Sequence, residues 1–481
     1  MAIKLHNTLT KQTDLFQPIT PGQVSIYSCG PTVYDNVHIG NLSAFIIADT
    51  LQRMLKANDL TVTHAMNLTD VDDKTIQRSQ QMYSDETPHQ ALSLLTSRYS
   101  EAFFQDMQAI GNSIDSLTFV RATDEKTING MRDMVQTLYD KGFAYLADDG
   151  VYFSIEAYQK AGHHYGQLTD ITAPSQSEAR IANDEYDKDN AQDFALWKKQ
   201  KADEPSWEFT LDGRDVAGRP GWHLECSVMS RQVLGQPFDI HTGGIDLVFP
   251  HHENELAQST ATHETTLAQY FVHNEHILVD GKKMSKSLNN FYTLKDLREQ
   301  QVEPLAFRLL VLQSHYRRPT HFSFDNVRSA SNRLHHWRNV AALRHQTHDT
   351  LHNDHDKATD DTSVSLYATS QALVEALSND LDTPQVLLLI DEAFSRLLQV
   401  RPASIHQAAL TDVLETIDAL LGLQLMASTP DISDDNKRLI LERQRARENQ
   451  DWSAADTARD ALLAAGITVR DTAHGSIWEY V

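Results

Sequence analysis

Val24-Ser25-Ile26-Tyr27-Ser28-Cys29-Gly30-Pro31-Thr32-Val33-Tyr34-Asp35-Asn36-Val37-His38-Ile39-Gly40-Asn41 opens the part of the chain on which the fold turns. Its first five residues alternate apolar and polar, as a half-buried strand does. After the Gly-Pro turn, residues 42–57 set Phe45, Ile46, Ala48, Asp49, Leu51, Met54 and Leu55 mainly at helical spacing. A second strand-like run, 60–66, follows a short turn. Strand, helix and strand in that order predict a βαβ unit of a parallel sheet, whose ligands gather at the carboxyl ends of the strands.

Working outward, residues 118–220 read as an insertion, richer in acidic residues and built of short elements such as Tyr152-Phe153-Ser154-Ile155. Parallel strands are expected to resume at 238–241 and 277–279. Beyond about residue 301 the periodicity becomes helical. Residues 350–363 are polar enough for a linker or exposed loop, and Thr383-Pro384 reads as an N-cap followed by proline at the first helical position. Residues 426–434 form a second loop-like boundary, and no internal repeat is evident. The acidic stretch 177–193 is expected to be a mobile surface loop.

The bulk numbers agree with a multidomain globular chain. At 481 residues it is too long for one ordinary core, and typical domain sizes give roughly three units of about 100 to 200 residues. Apolar content is 41% and charged content 22%, both near globular averages. The N-terminus lacks the apolar segment of a signal peptide and no run near 18 apolar residues occurs, so a cytoplasmic protein without membrane association is expected. A net charge of −24 argues against unspecific attraction to nucleic acid, leaving any RNA partner to local basic faces. Two cysteines, Cys29 and Cys226, give no disulfide framework.

Three constellations carry chemistry. The loop before the helix is the first, because a helix N-terminus offers unpaired N–H groups and a positive dipole end to a phosphate, and Gly40 lets a ligand approach the backbone. His38 would donate to charge building on an α-phosphate. Lys282-Lys283-Met284-Ser285-Lys286-Ser287 is the second; lysines on such a loop can neutralise a departing pyrophosphate. The third joins Cys29 to Cys226, in Gly218-Arg219-Pro220-Gly221-Trp222-His223-Leu224-Glu225-Cys226, and to Phe249-Pro250-His251-His252-Glu253-Asn254-Glu255. If Pro250 starts a helix, His251 and Glu255 share one face, and donors S, S, N and O can surround a zinc ion. Spacing alone does not prefer His251 over His252.

His-Ile-Gly-Asn at 38–41 and Lys-Met-Ser-Lys-Ser at 283–287, in that order on that fold pattern, resemble the two signatures of class I aminoacyl-tRNA synthetases. The usual second histidine of the first signature is Asn41 here, which removes one imidazole but keeps a hydrogen-bond donor. The strings around Cys29, Asn67-Leu68-Thr69-Asp70-Val71-Asp72-Asp73-Lys74 and 218–227 resemble the cysteinyl-tRNA synthetases over nearly the whole chain.

That resemblance implies that Cys29, Cys226, His251 and Glu255 hold one Zn2+ per subunit. It implies that Lys286 contacts ATP, bound with Mg2+, that Lys283 holds the leaving group, and that Asp246 holds the ATP ribose. Gly30, Thr69, Trp222 and His241 fall where the substrate pocket is shaped, with His38, Asn41 and Gly40 at the phosphates. The implied activity joins L-cysteine to tRNA(Cys) through cysteinyl-adenylate, in a protein expected to be a monomer. The implied plan is a Rossmann-like α/β catalytic domain in two halves, 1–117 and 221–312, around a connective insertion at 118–220. A stem-contact region at 313–349, an α-helical bundle at 350–425 and a small anticodon-binding domain at 426–481 would follow. The basic faces expected to meet tRNA are 314–319 and Arg443, Arg445 and Arg447, beside Trp452. The cysteine ligases of mycothiol synthesis resemble the catalytic part but lack that C-terminal arm. A non-catalytic paralogue that binds nucleotide, cysteine or RNA is the other alternative, against which His38, Lys283 and Lys286 speak.

Overall fold

The alternation at 24–28 becomes strand β1, Gln23–Ser28, with Ile26, Tyr27 and Ser28 all buried. Burial on both faces is what a central parallel strand requires. In the computed structural model, which describes residues 2–169, 193–284, 290–346, 360–473 and 475–481, helix α1 runs Ile39–Ala57 and strand β2 Thr61–Leu68. The helix buries Leu42, Phe45, Ile46, Ala48, Leu51, Met54 and Leu55. Asp49 is buried among them because Arg53, one turn on, bonds it at 2.6 Å.

Strands β3 (Leu117–Arg121), β4 (Phe238–Gly244) and β5 (Ala268–Asn274) complete a five-stranded sheet in the order β5-β4-β1-β2-β3. Every neighbouring pair is parallel, with Ile240 opposite Ile26 and His64 opposite Leu117. This is the order of a doubly wound nucleotide-binding sheet, and it reverses direction between β1 and β4, where such sheets open a ligand crevice. The expected α/β class and Rossmann-like plan hold.

Several local expectations shift. Strand β3 carries the parallel sheet past residue 118, so the inserted elements begin after Arg121. They include a four-stranded antiparallel sheet of Ala144–Ala147, Gly150–Phe153, Phe194–Lys199 and Gly218–Pro220, whose core holds Phe153, Tyr158, Phe194 and Trp197. Ile277–Val279 is not in the parallel sheet but pairs antiparallel with Lys282–Lys283. The true fifth strand, Ala268–Asn274, is masked in the sequence by exposed Gln269 and by His273 and Asn274, buried polar residues whose side chains bond within the fold. Two helices follow the insertion, α2 (Trp222–Leu234) and α3 (Glu253–His263). Phe249 takes extended φ and ψ and the backbone is helical from Pro250 into α3, so Pro250 opens the turn that sets His251 and Glu255 on one face, as expected.

The described residues form two compact units, one of 2–300 with 316–321 and one of 301–315 with 322–481. The second is helical, with Pro304–Leu312, Phe324–Ala341, Asp360–Ser378, Thr383–Leu397 and Gln407–Leu421. Residues 360–363 thus belong to a helix, and the rest of the expected linker, like residues 177–192, lies outside the described residues. The N-cap before Pro384 is Asp382, whose carboxylate accepts from the Gln385 N–H, so the start is one residue earlier than read. Helices Asp434–Glu448 and Trp452–Ala464 pack with the antiparallel hairpin Ile467–Thr472 and Gly475–Tyr480 around Ile440, Leu462, Ile467 and Trp478.

Candidate metal centre and nucleotide crevice

Cys29 leaves the carboxyl end of β1, and its N–H bonds the Thr242 carbonyl of β4 at 3.2 Å, so it stands at the reversal point of the sheet. Cys226 faces it from α2 with sulfurs 3.8 Å apart. From α3, Glu255 brings Oε1 within 3.8 Å of the Cys29 sulfur and 2.7 Å of His251 Nε2. The four ligand atoms of Cys29, Cys226, His251 and Glu255 lie within 4.8 Å of one another and all four residues are buried. A second overlapping group, Cys29, His241, His252 and Glu255, meets the same criterion.

The donor set suits zinc on two counts. Two Zn–S bonds of about 2.3 Å at a tetrahedral angle set their sulfurs about 3.8 Å apart, as Cys29 and Cys226 already are. The donor types, two thiols, an imidazole and a carboxylate, are those that zinc takes.

Electrostatics within the cluster are strongly coupled. Burial alone would lower His251, yet the Glu255 charge and the hydrogen bond His251 donates to Cys226 push it up to about 10. Burial would raise Glu255, but the charges of His251 and His241 hold it down at about 2. Burial likewise would raise Cys226, and the hydrogen bond from Cys29 brings it down to about 6, while burial and that same bond push the Cys29 thiol up. The geometry has the Cys29 S–H donating to the Cys226 sulfur.

The remaining pocket residues are arranged around this group. Trp222, at the start of α2, stacks on His251 with centroids 4.2 Å apart and stays partly exposed. His241 on β4 bonds Glu255 Oε2 at 2.6 Å through Nε2 and the Tyr27 carbonyl at 3.2 Å through Nδ1. Thr69 donates to buried Glu225 at 3.0 Å and accepts from Asn67 at 3.1 Å, while the Gly30 N–H donates to Asn67 Oδ1 at 2.7 Å. Gly30 is required there, since a Cβ would lie 1.9 Å from the Asn67 carbonyl oxygen.

The crevice beside it begins at His38, the N-cap of α1, whose Nδ1 accepts from the Asn41 N–H at 3.2 Å. A neutral ring so engaged carries its proton on Nε2 and is a donor there. The Ile39 N–H bonds the Tyr292 carbonyl at 2.9 Å and Phe291 meets the His38 ring edge-on at 4.9 Å, so the segment after the lysine-rich loop is laced to the first signature. Gly40 is overlaid by the Met284 methyl, 2.6 Å from where a Cβ would stand. Lys283 is exposed on its short strand, and Lys286 lies outside the described residues. Asp246 occupies an exposed turn after β4, 3.9 Å from His276 Nδ1.

Sequence reasoning overlooked His223, Glu225, His273 and Thr8. His223 Nδ1 lies 2.9 Å from His251 Nδ1, and His273 Nε2 lies 2.7 Å from His252 Nδ1. Only the neighbours of Cys226 carried a signal; His273 and Thr8 are isolated in the sequence. In the helical unit, Arg443 is buried and bonds Asp471 at 3.0 Å, and Arg447 bonds the same oxygen at 2.5 Å, so both are committed within the fold. Arg445 and Trp452 are exposed.

The family model described as the class I (C) tRNA synthetase catalytic domain matches residues 15–332. The one described as the cysteinyl-tRNA ligase anticodon binding domain matches residues 429–478. Proteins named cysteine--tRNA ligase from Leptospira interrogans and Brachyspira hyodysenteriae are 39% and 36% identical to the chain, each alignment covering 99% of both partners. A solved Mycobacterium tuberculosis methionyl-tRNA synthetase bound by methionyl-adenylate aligns with a TM-score of 0.58 at 14% identity, over 90% of this chain and 96% of that one. That likeness is one of fold.

Proposed function

The chain belongs to the cysteine--tRNA ligases, a family of class I aminoacyl-tRNA synthetases, and from that premise we propose how its residues select cysteine and activate it. The observation that carries the reading is the meeting of two sulfurs, an imidazole and a carboxylate from three distant segments, buried at the reversal point of a nucleotide-binding sheet.

Cys29, Cys226, His251 and Glu255 hold a zinc ion. Held there, zinc would supply an affinity for thiolate and a lowered thiol pKa, so that a substrate sulfur would be favoured over serine's hydroxyl. Trp222 and His241 flank the pocket, with Thr69 and Gly30 on its floor. Selection by sulfur chemistry exceeds what an apolar pocket supplies, about 1 to 3 kcal/mol per methylene, so no editing domain is called for.

In the activation step the cysteine carboxylate attacks the α-phosphorus of MgATP, the bond to the β-phosphate breaks, and pyrophosphate leaves with cysteinyl-adenylate remaining. His38 donates to the charge growing on the α-phosphate, aided by the α1 N-terminus, while Lys283 and Lys286 hold the departing pyrophosphate. Asp246 holds the ATP ribose. The terminal adenosine hydroxyl of tRNA(Cys) then takes the acyl group and releases AMP. Positioning and electrostatics carry both steps, and no side chain is assigned as general base. We place the enzyme in the cytoplasm as a monomer; among the described residues no helix is long and apolar enough to cross a membrane.

The test is amino-acid-dependent exchange of pyrophosphate into ATP across all twenty amino acids, with and without a chelator, beside metal analysis of the purified protein. Exchange driven by cysteine alone, lost with the metal, is expected. Stimulation by another amino acid, or cysteine-driven exchange in metal-free protein, sinks the assignment.

A further inference from the structure

A line of three hydrogen bonds runs from the edge of the sheet to Cys29. Thr8 Oγ1 lies 2.8 Å from His273 Nδ1, His273 Nε2 lies 2.7 Å from His252 Nδ1, and His252 Nε2 lies 3.3 Å from the Cys29 sulfur. Both rings and the sulfur are buried. Thr8 is delivered to His273 by the N-terminal hairpin, Lys4–Asn7 with Gln12–Leu15, which is pinned along the edge of β5. The Thr8 N–H bonds the Phe271 carbonyl at 2.8 Å, and the Asn7 side chain accepts from the Phe271 N–H at 3.0 Å and donates to the Gln269 carbonyl at 3.0 Å.

The polarity of this line is fixed from the sulfur outward. As a metal ligand Cys29 is a thiolate and only accepts. Without metal its one proton points toward Cys226 or Glu255, to which the Cys29 sulfur is the donor. Either way the sulfur presents a lone pair to His252, which must donate from Nε2. The two rings touch nitrogen to nitrogen, a contact that holds one proton, and with His252 Nδ1 as the acceptor that proton is on His273 Nε2. His273 Nδ1 is then an acceptor, and the Thr8 hydroxyl must be its donor.

Resting on the zinc reading above, we propose that Thr8, through His273 and His252, is a positioning residue for the metal centre: its hydroxyl fixes the tautomers of both histidines and so aims the His252 N–H at the Cys29 sulfur. On this account His252 serves the ligand Cys29 from behind, and the overlapping group of Cys29, His241, His252 and Glu255 is a supporting layer in which His241 does the same for Glu255. Outer partners of this kind change metal affinity by about 10 to 100-fold when removed, and Thr8 stands two links out.

The test compares Thr8→Val, which keeps shape and backbone bond but removes the donor, with Thr8→Ser, which restores it. Zinc transfer from the purified full-length enzyme to a chromophoric chelator is timed, and KM for cysteine and for ATP are measured on the same samples. Thr8→Val is expected to release zinc about tenfold faster and to raise KM for cysteine, with KM for ATP and the melting temperature unchanged and Thr8→Ser near wild type. Equal release from wild type and Thr8→Val, or a Thr8→Ser that behaves like Thr8→Val, overturns the proposal. Wild-type protein with no zinc to release would instead sink the metal reading on which it stands.

Discussion

Cys29 and Cys226, 197 positions apart in the chain, bring their sulfurs to 3.8 Å without a disulfide, because β1 ends and α2 passes at the reversal point of the parallel sheet. Two sulfurs held at that distance, with a carboxylate and an imidazole beside them, match the separation that two zinc–thiolate bonds would set.

Cys226→Ser replaces a soft donor by a hard one while keeping the helix. Metal content is expected to fall from one zinc per chain to near zero, and cysteine-dependent pyrophosphate exchange to fall by a factor of 100 or more, on the order of a lost metal ligand. Atomic emission of the purified variant beside the exchange assay measures both. A variant that keeps stoichiometric zinc removes Cys226 from the ligand set.

The parts legible in the sequence were those with local periodicity or a rare residue. The βαβ opening was readable because Val24, Ile26 and the α1 face repeat at strand and helix spacing, and the two cysteines drew notice by being the only ones. Strand β5 was missed because its buried polar residues find partners supplied by distant segments, as when Thr8 meets His273 across 265 positions. Arg443 and Arg447 read as a basic face because Asp471, which takes up both, is distant in sequence and joins them only when the hairpin folds back. The choice between His251 and His252 was illegible for a related reason, since both are buried beside the sulfurs and differ only in which partners lie behind them.

Gly30→Ala tests how tightly the pocket floor is built. Its new Cβ would meet the Asn67 carbonyl oxygen at 1.9 Å and the Met66 side chain at 2.8 Å. Backbone cannot yield cheaply, so destabilisation of about 1 to 3 kcal/mol is expected, with a raised KM for cysteine because the bond from Gly30 to Asn67 is displaced. Urea unfolding measures the first and exchange kinetics the second. Wild-type stability together with wild-type KM would show that β1 and β2 can spread at this point.

Arg443 is nearly enclosed and its guanidinium is bonded to Asp471. Arg443→Ala leaves that carboxylate with Arg447 and the Ser476 hydroxyl and is expected to cost about 1 to 3 kcal/mol, read as a lower melting temperature, while pyrophosphate exchange stays at wild-type rate. Arg445→Ala, exposed, is expected to leave stability unchanged and to weaken tRNA binding with a shallower salt dependence. Filter binding across salt concentrations separates the two; an Arg445→Ala variant with unchanged affinity takes that side chain out of the tRNA contact.

His64 gives the fold an acid limit of its own. It is buried between Ser28 Oγ at 2.7 Å and Gln52 Oε1 at 3.1 Å, and burial pushes its pKa down from 6.5 to about 4. Between those values the unfolded chain binds a proton that the folded chain does not, so stability falls as pH falls. The contribution is fully present above about 6.5 and is lost toward about 4, on the order of 3 kcal/mol in all. His64→Gln, neutral throughout, is expected to flatten the stability profile over that window by about one proton. Urea midpoints from pH 4.5 to 7.5 decide it: parallel profiles for the two proteins would mean that His64 is not among the groups that titrate on unfolding.

His38 and Asn41 divide between them what a pair of histidines would do. His38 caps α1 with Nδ1 and keeps a donor on Nε2, whereas the Asn41 side chain is exposed at the third position of the helix. Loss of His38 therefore removes a cap worth about 1 kcal/mol and a donor to the developing phosphate charge, whose removal costs on the order of 100 to 1,000-fold in kcat. His38→Ala is expected to show the kcat loss in pyrophosphate exchange with KM for cysteine unchanged, since the cluster of Cys29, Cys226, His251 and Glu255 is untouched. Asn41→His adds an imidazole without disturbing the backbone bond to His38 and is expected to raise kcat, by no more than about tenfold because the Asn41 amide also has an N–H to offer. A His38→Ala enzyme within twofold of wild type, or an Asn41→His enzyme slower than wild type, would show that the phosphate is held by the helix N-terminus and the lysines and not by this side of the crevice.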